Sequence, residues 1–186
     1  MTPNLAGKNI AILVASGFDE NQMTEIQRGL VRAKARSHTI APENGVVNGW
    51  QGEGWGHHFA VDAQIGEALG SDFDMLVLPG GDRGIAKLKT NLHTRRIINH
   101  FMEAGKPVAA IGVGVSLLAL SGKIVERIVT AHESVHGELK AAGAEISAEP
   151  EILDGNLLTS NGEDIAIWVE DVLTFFADAD MERVAA

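Results

Sequence analysis

Unbroken apolar runs alternate along this chain with segments whose apolar residues recur at helical spacing, and that alternation predicts the order of elements. Asn9-Ile-Ala-Ile-Leu-Val14, Phe73-Asp-Met-Leu-Val-Leu78 and Val108-Ala-Ala-Ile111 read as strands buried on both faces, the pattern of a parallel sheet. His38-Thr-Ile-Ala41 is a shorter strand ended by Pro42-Glu-Asn-Gly45. Met23, Ile26, Leu30 and Val31 mark one helix, and Ile97, Ile98, Phe101 and Met102 mark the inward face of another over Leu92–Glu103. Further helices are predicted at Glu133–Ala142 and along the stripe Ile165, Trp168, Val169, Val172 and Phe175. Lys123–Thr130 reads as a strand, and Glu145–Ser160 as two short strands around an Asp154-Gly155 turn. The glycine-rich stretch Val46–Ala60 reads as a hairpin at a sheet edge. Its Trp50 and Trp55 are expected to cap the local core rather than to rim a pocket or a subunit interface. Strand–helix alternation throughout predicts an α/β fold, a three-layer sandwich on a mainly parallel sheet, with residues 1–186 as one domain.

The chain is organised around Val108–Ile111 and the turn at its end. A buried parallel strand that turns at Gly112-Val-Gly114 into a helix has the geometry of a nucleophile elbow. Such a turn exposes its apex at the carboxyl end of the strand, where open α/β sheets place their ligands. Here the apex is Gly112 or Val113, so the reactive atom is missing. The same residues also suit an ordinary strand–helix turn. After Leu78, Pro79-Gly80-Gly81 permits successive backbone N–H groups to converge into an anion-binding nest.

Composition narrows the chemistry further. The absence of any cysteine excludes disulfides, thiol catalysis and thiolate metal sites. A net charge of −10, with Arg95-Arg96 the sole basic doublet, disfavours nucleic-acid partners. No apolar run approaches the roughly 18 residues of a membrane span, and the first residues have no basic and apolar leader pattern, so a cytoplasmic protein is expected.

Four stretches carry a family resemblance: Gly17-Phe-Asp-Glu20, Asp72-Phe-Asp-Met-Leu-Val-Leu-Pro-Gly-Gly81, Gly105-Lys-Pro-Val-Ala-Ala-Ile111, and Ala142-Gly-Ala-Glu145 with Asp154-Gly-Asn-Leu-Leu-Thr-Ser160. Together they resemble the ThiJ/PfpI superfamily, which contains the PfpI-type intracellular proteases and the parkinsonism-associated protein deglycase. The excursion from Trp50 to Asp62 is similar to the PfpI-type branch. The resemblance implies a flavodoxin-like, class I glutamine amidotransferase-like sandwich that assembles as a homodimer or a larger homo-oligomer. It also implies an elbow Cys, a following His and a Glu from the first strand–helix loop. These positions fall on Gly112, Val113 and Gln22, so all three groups are absent. The acid expected after Pro-Gly-Gly is not at Ile85 or Ala86, although Asp82 is near. His132 matches a position where the deglycase branch has a His near its thiol.

Loss of the thiol, its base and its tuning acid together removes the family's nucleophile and the groups that activate it. The expected function is therefore that of a pseudoenzyme: a small-molecule-binding, assembly or stress-related protein needing no cofactor. Its expected ligand-binding residues are Gln22, Gly80, Gly81, Gly112, Val113 and His132, with Gln22 and the two glycines as donors. Two alternatives remain. His132 with Ser116 or Asp19 could support hydrolysis or detoxification of reactive carbonyls. His132-Glu133-Ser-Val-His136 matches H-E-x-x-H and is a metal candidate that lacks an evident third ligand. The adjacent His57 and His58 would point to opposite faces of a strand and share no metal.

Overall fold

In the computed structural model, which describes residues 1–186, the apolar runs form the middle of a seven-stranded sheet. Strand β1, Asn9–Leu13, leads through the two-residue β2, Phe18–Asp19, into helix α1, Glu20–Arg32. Strand β3 is Arg36–Ala41, and β4, Val46–Gln51, and β5, Gly54–Ala60, form the predicted hairpin. The short β6, Ala63–Gln64, precedes β7, Met75–Leu78, which runs into helix α2, Asp82–Lys89. Helix α3, Leu92–Ala104, leads to β8, Val108–Ile111, and a 3₁₀ helix over Gly112–Ser121. The remainder comprises β9, Ile128–Val129; α4, His136–Ala141; β10, Glu145–Ile146; β11, Glu151–Asp154; β12, Leu157–Ser160; and α5, Ile165–Ala185.

The sheet order is β11-β12-β8-β7-β1-β3-β6. Every neighbour pair is parallel except β11 with β12, which is the antiparallel hairpin at Asp154-Gly155. Because both faces are covered, the central strands are buried throughout, as their unbroken hydrophobicity requires. One face packs a cluster of 26 buried residues that includes Leu76, Ile98 and Leu117. The other packs 22, including Ile12, Met23 and Trp168, under α1 and α5. The three-layer expectation is met.

Four local expectations change. The segment after the elbow is a 3₁₀ helix; Ser116 Oγ and Ser121 Oγ each donate to the carbonyl three residues back, which suits the tighter winding. Gly114 is pressed so close to Leu78 and Pro79 that a Cβ there would lie 2.5 Å from the Leu78 carbonyl oxygen. The strand predicted over Lys123–Thr130 shrinks to β9, because Glu126 adopts φ 62° and interrupts extension. Val31 does not join the core: it is 70% exposed, and the inward face of α1 is Met23, Ile26 and Leu30. Helix α2 was hidden in the sequence by the glycines before and within it; only Gly84, Ile85 and Leu88 are buried.

The hairpin forms a separate three-stranded sheet, β2-β4-β5. It closes over the start of α1, beside the carboxyl ends of β1, β7, β8 and β12.

Candidate functional site

At those strand ends lies a hollow of about 390 Å³, lined by the loop after each of them. The β1 side contributes Asp19 and Gln22, the β7 side Gly81 and Asp82, the β8 side Gly112 and Val113, and the β12 side Asn161 and Gly162. His132 closes one flank, and Trp50 with Gly52 of the hairpin closes another. The site occupies the position at which open parallel sheets hold ligands.

The apex keeps elbow geometry. Gly112 has φ 61°, the left-handed conformation of a sharp strand–helix turn. A Cβ built there meets nothing nearer than Gln22 Nε2 at 3.5 Å, so there is room for a side chain that this chain does not supply. Gly162, also with positive φ, faces the apex: its own Cβ would stand 3.6 Å from Gly112 Cα. The turn is thus an elbow without a nucleophile, and its empty corner opens into the hollow.

Gln22 sits under that corner with 7% exposure. Its Oε1 accepts the Gly80 N–H at 2.7 Å, which fixes the orientation of the amide and aims Nε2 toward the apex. Asp19 caps α1 by accepting the Gln22 backbone N–H at 3.0 Å, and so anchors the turn that delivers Gln22. The donor expected of Gly80 is therefore consumed by Gln22, and Gly80 is not among the lining residues. Gly81 lines the hollow, and its N–H has no partner within the chain. The two glycines do not converge as a nest.

His132 reaches the site through its own backbone, whose N–H donates to the Gly112 carbonyl at 3.3 Å. Its Nδ1 accepts the Ser134 N–H, so the neutral ring carries its hydrogen on Nε2. Ser116 has no part in this arrangement: it is buried and its Oγ donates to the Val113 carbonyl at 2.7 Å. His136 Nε2 is engaged with the Ala131 carbonyl at 2.9 Å, and no three His, Asp or Glu side chains are placed to hold a metal ion. His132 precedes the helical turn and His136 begins α4, so the H-E-x-x-H spacing does not set both rings on one helix face. His57 and His58 lie on β5 and, unlike His132, do not line the hollow.

Trp50 and Trp55 correct the expectation that they cap a local core. Trp55 is 55% exposed, the two rings meet edge to face at 5.2 Å, and the Arg83 guanidinium stacks 4.2 Å over Trp50. Trp50 is thereby stiffened into a pocket wall. Sequence reasoning did not select Asn161 and Gly162 as lining residues; the sole signal was their place directly after an apolar strand.

One buried carboxylate holds this wall. Glu20, 5% exposed, accepts from Gln51 Nε2 at 2.8 Å, from the His57 backbone at 2.8 Å and from His57 Nδ1 at 2.5 Å. Burial alone would raise its carboxyl, but the hydrogen bonds from His57 and Gln51 outweigh that and hold it below the usual carboxylate range. The approach requires Gly49 and Gly56, where a Cβ would lie 2.3 and 1.8 Å from Glu20 Oε2.

Comparison with known proteins agrees with this architecture. The family model described as the DJ-1/PfpI family matches residues 8–174. General stress protein 18 of Bacillus subtilis is 31% identical over 160 residues, covering 85% of this chain and 91% of that protein. Protein/nucleic acid deglycase 2 of Escherichia coli is 32% identical over 160 residues, covering 83% and 88% respectively. A solved structure from Anabaena variabilis, containing DJ-1/ThiJ/PfpI-like and ferritin-like domains, superposes with a TM-score of 0.83 at 28% identity. The match covers 90% of this chain and 47% of that one, so the chain spans about half of the two-domain protein.

Proposed function

The chain belongs to the DJ-1/PfpI family, and from that premise we propose that it is a non-catalytic member which binds a small molecule at the elbow pocket. The observation that carries this reading is the apex itself: Gly112 holds elbow geometry around an unfilled corner, and no thiol, hydroxyl or imidazole stands there. Val113 supplies no base, and Gln22 has an amide where the family resemblance places the acid that tunes the thiol. What remains is a hollow large enough for a metabolite-sized ligand, with polar groups to orient it and nothing to attack it. The relocated pair of Ser116 and His132 gains no support, since Ser116 is buried and its hydrogen points elsewhere. By analogy with the stress-protein and deglycase names of its relatives, the proposed setting is a stress-related one. Assembly as a homo-oligomer belongs to the same proposal.

Native mass spectrometry of the purified protein, before and after a chelator, tests the binding half: a retained organic mass that survives the chelator is expected. Methylglyoxal and peptide hydrolysis assays test the catalytic half. Turnover that persists in purified protein and disappears with His132→Ala would refute the non-catalytic reading.

A further inference from the structure

The side chain at position 22 fixes a hydrogen-bond donor in the floor of the pocket. One terminal atom of Gln22 is committed, since Oε1 must face the Gly80 N–H at 2.7 Å. The other is then necessarily the NH₂ group, directed at the corner where an elbow side chain would sit. A carboxyl with the same anchoring would present a donor there only while protonated; the amide presents one at every pH. Gln22 is nine-tenths buried and Nε2 has no partner in the chain, so an acceptor from outside would complete it. Two more unpartnered donors border the same hollow: the Gly81 N–H and the Nε2–H of neutral His132.

The rim has the opposite character. Asp19 and Asp82 line the hollow, neither is ion-paired, and no Lys or Arg lines it with them. An anion entering past two carboxylates would meet repulsion without a formal positive charge inside to compensate. A neutral carbonyl oxygen meets no such penalty, and an ammonium group on the same molecule would be drawn to the rim.

We infer that the elbow pocket takes an amino-carboxamide. The carbonyl oxygen occupies the corner beside Gly112 and accepts from Gln22 Nε2, and the ammonium group faces Asp19 and Asp82. This rests on the ligand-binding reading above and adds the chemical class and orientation of the ligand.

Three small probes separate the contributions: L-alaninamide, L-alanine and the shorter acetamide, titrated at pH 6.5, where the α-amino group is an ammonium, into ¹⁵N-labelled protein and followed by amide shifts. Alaninamide is expected to shift Gly81, Gly112, Val113 and His132, and to bind about tenfold more tightly than alanine or acetamide, one charged hydrogen bond's worth. Gln22→Met removes the donor with a side chain of similar length and should weaken alaninamide about tenfold. Asp82→Asn should narrow the gap between alaninamide and acetamide. Equal binding of the three probes, preference for alanine, or indifference to Gln22→Met would overturn the assignment. If no probe shifts these amides while native mass spectrometry finds a retained molecule, the amino-carboxamide assignment fails and the binding reading stands. Absence of both would remove both.

Discussion

Glu20 and Glu151 are both glutamates drawn partly out of water beside an edge of the structure, and the molecule treats them in opposite ways. Glu20 receives three hydrogen bonds from the hairpin and stays ionised, its carboxyl held below the usual range. Glu151, on β11, faces Asp171 and Asp164 of the α5 region; burial and these two nearby acids push its carboxyl up to about 8. The difference lies in the supply of donors rather than in depth alone. Around the pocket that supply is used to fix a wall. At the far hairpin it is missing, and a proton takes its place.

Removing the donors' target should have the largest effect. Glu20→Ala leaves the Gln51 amide and the His57 N–H without their acceptor and releases the β4–β5 hairpin from α1, at a cost of about 3 kcal/mol. Most of that cost belongs to the buried hydrogen bonds, because the His57 ring is 79% exposed and its ion pair contributes little. Urea unfolding measures the total, and faster amide exchange across residues 46–60 locates it. Since the Glu20 carboxyl is depressed, its advantage over Glu20→Gln should be complete above the unfolded carboxylate range and disappear as the pH falls through its lower folded value. A Glu20→Ala protein with unchanged stability would show that the hairpin docks by other means.

Next in size is Gln22→Leu, which strands the buried Gly80 N–H at a cost of about 1–3 kcal/mol. Gln22→Glu retains that bond and should lose less stability than Gln22→Leu. Thermal denaturation of the two variants side by side separates the anchoring half of the amide from its ligand-facing half. Equal losses would deny that Oε1 and Nε2 have separate duties.

These two residues also show how far the sequence could be read. The apolar strands, the parallel sheet and the glycine apex were legible because each is encoded by neighbours in the chain: period, run length and a Gly-Val-Gly turn. The site position of Gln22 followed from family resemblance, but the direction of its amide depends on Gly80, 58 residues away. The Glu20 clamp was invisible for the same reason, with Gln51 and His57 lying 31 and 37 residues on. Trp50 and Trp55 were misread because Arg83, on a helix the sequence concealed, offers the cation that stacks on them outside the core.

The smallest effect, opposite in sign, is expected at Glu151. Its Oε2 is buried without a hydrogen-bond partner, and Asp171 lies beside it, a carboxyl that can hydrogen-bond to it only while one of the two holds a proton. The hollow beside it is lined by Glu151, Glu163, Asp164 and Asp171 with no basic residue. Between the usual carboxylate value of 4.5 and about 8, the folded protein therefore holds a proton that the unfolded chain has released, and stability should fall as the pH rises through that window. Glu151→Gln makes the proton permanent by giving Asp171 an N–H. It should stabilise the protein by about 1 kcal/mol at pH 8 and by almost nothing at pH 5, where the native carboxyl is already protonated. Chemical denaturation at the two pH values is the test: a gain that is equal at both, or confined to pH 5, would mean that the pair does not share a proton and that the contrast with Glu20 is one of packing rather than of charge.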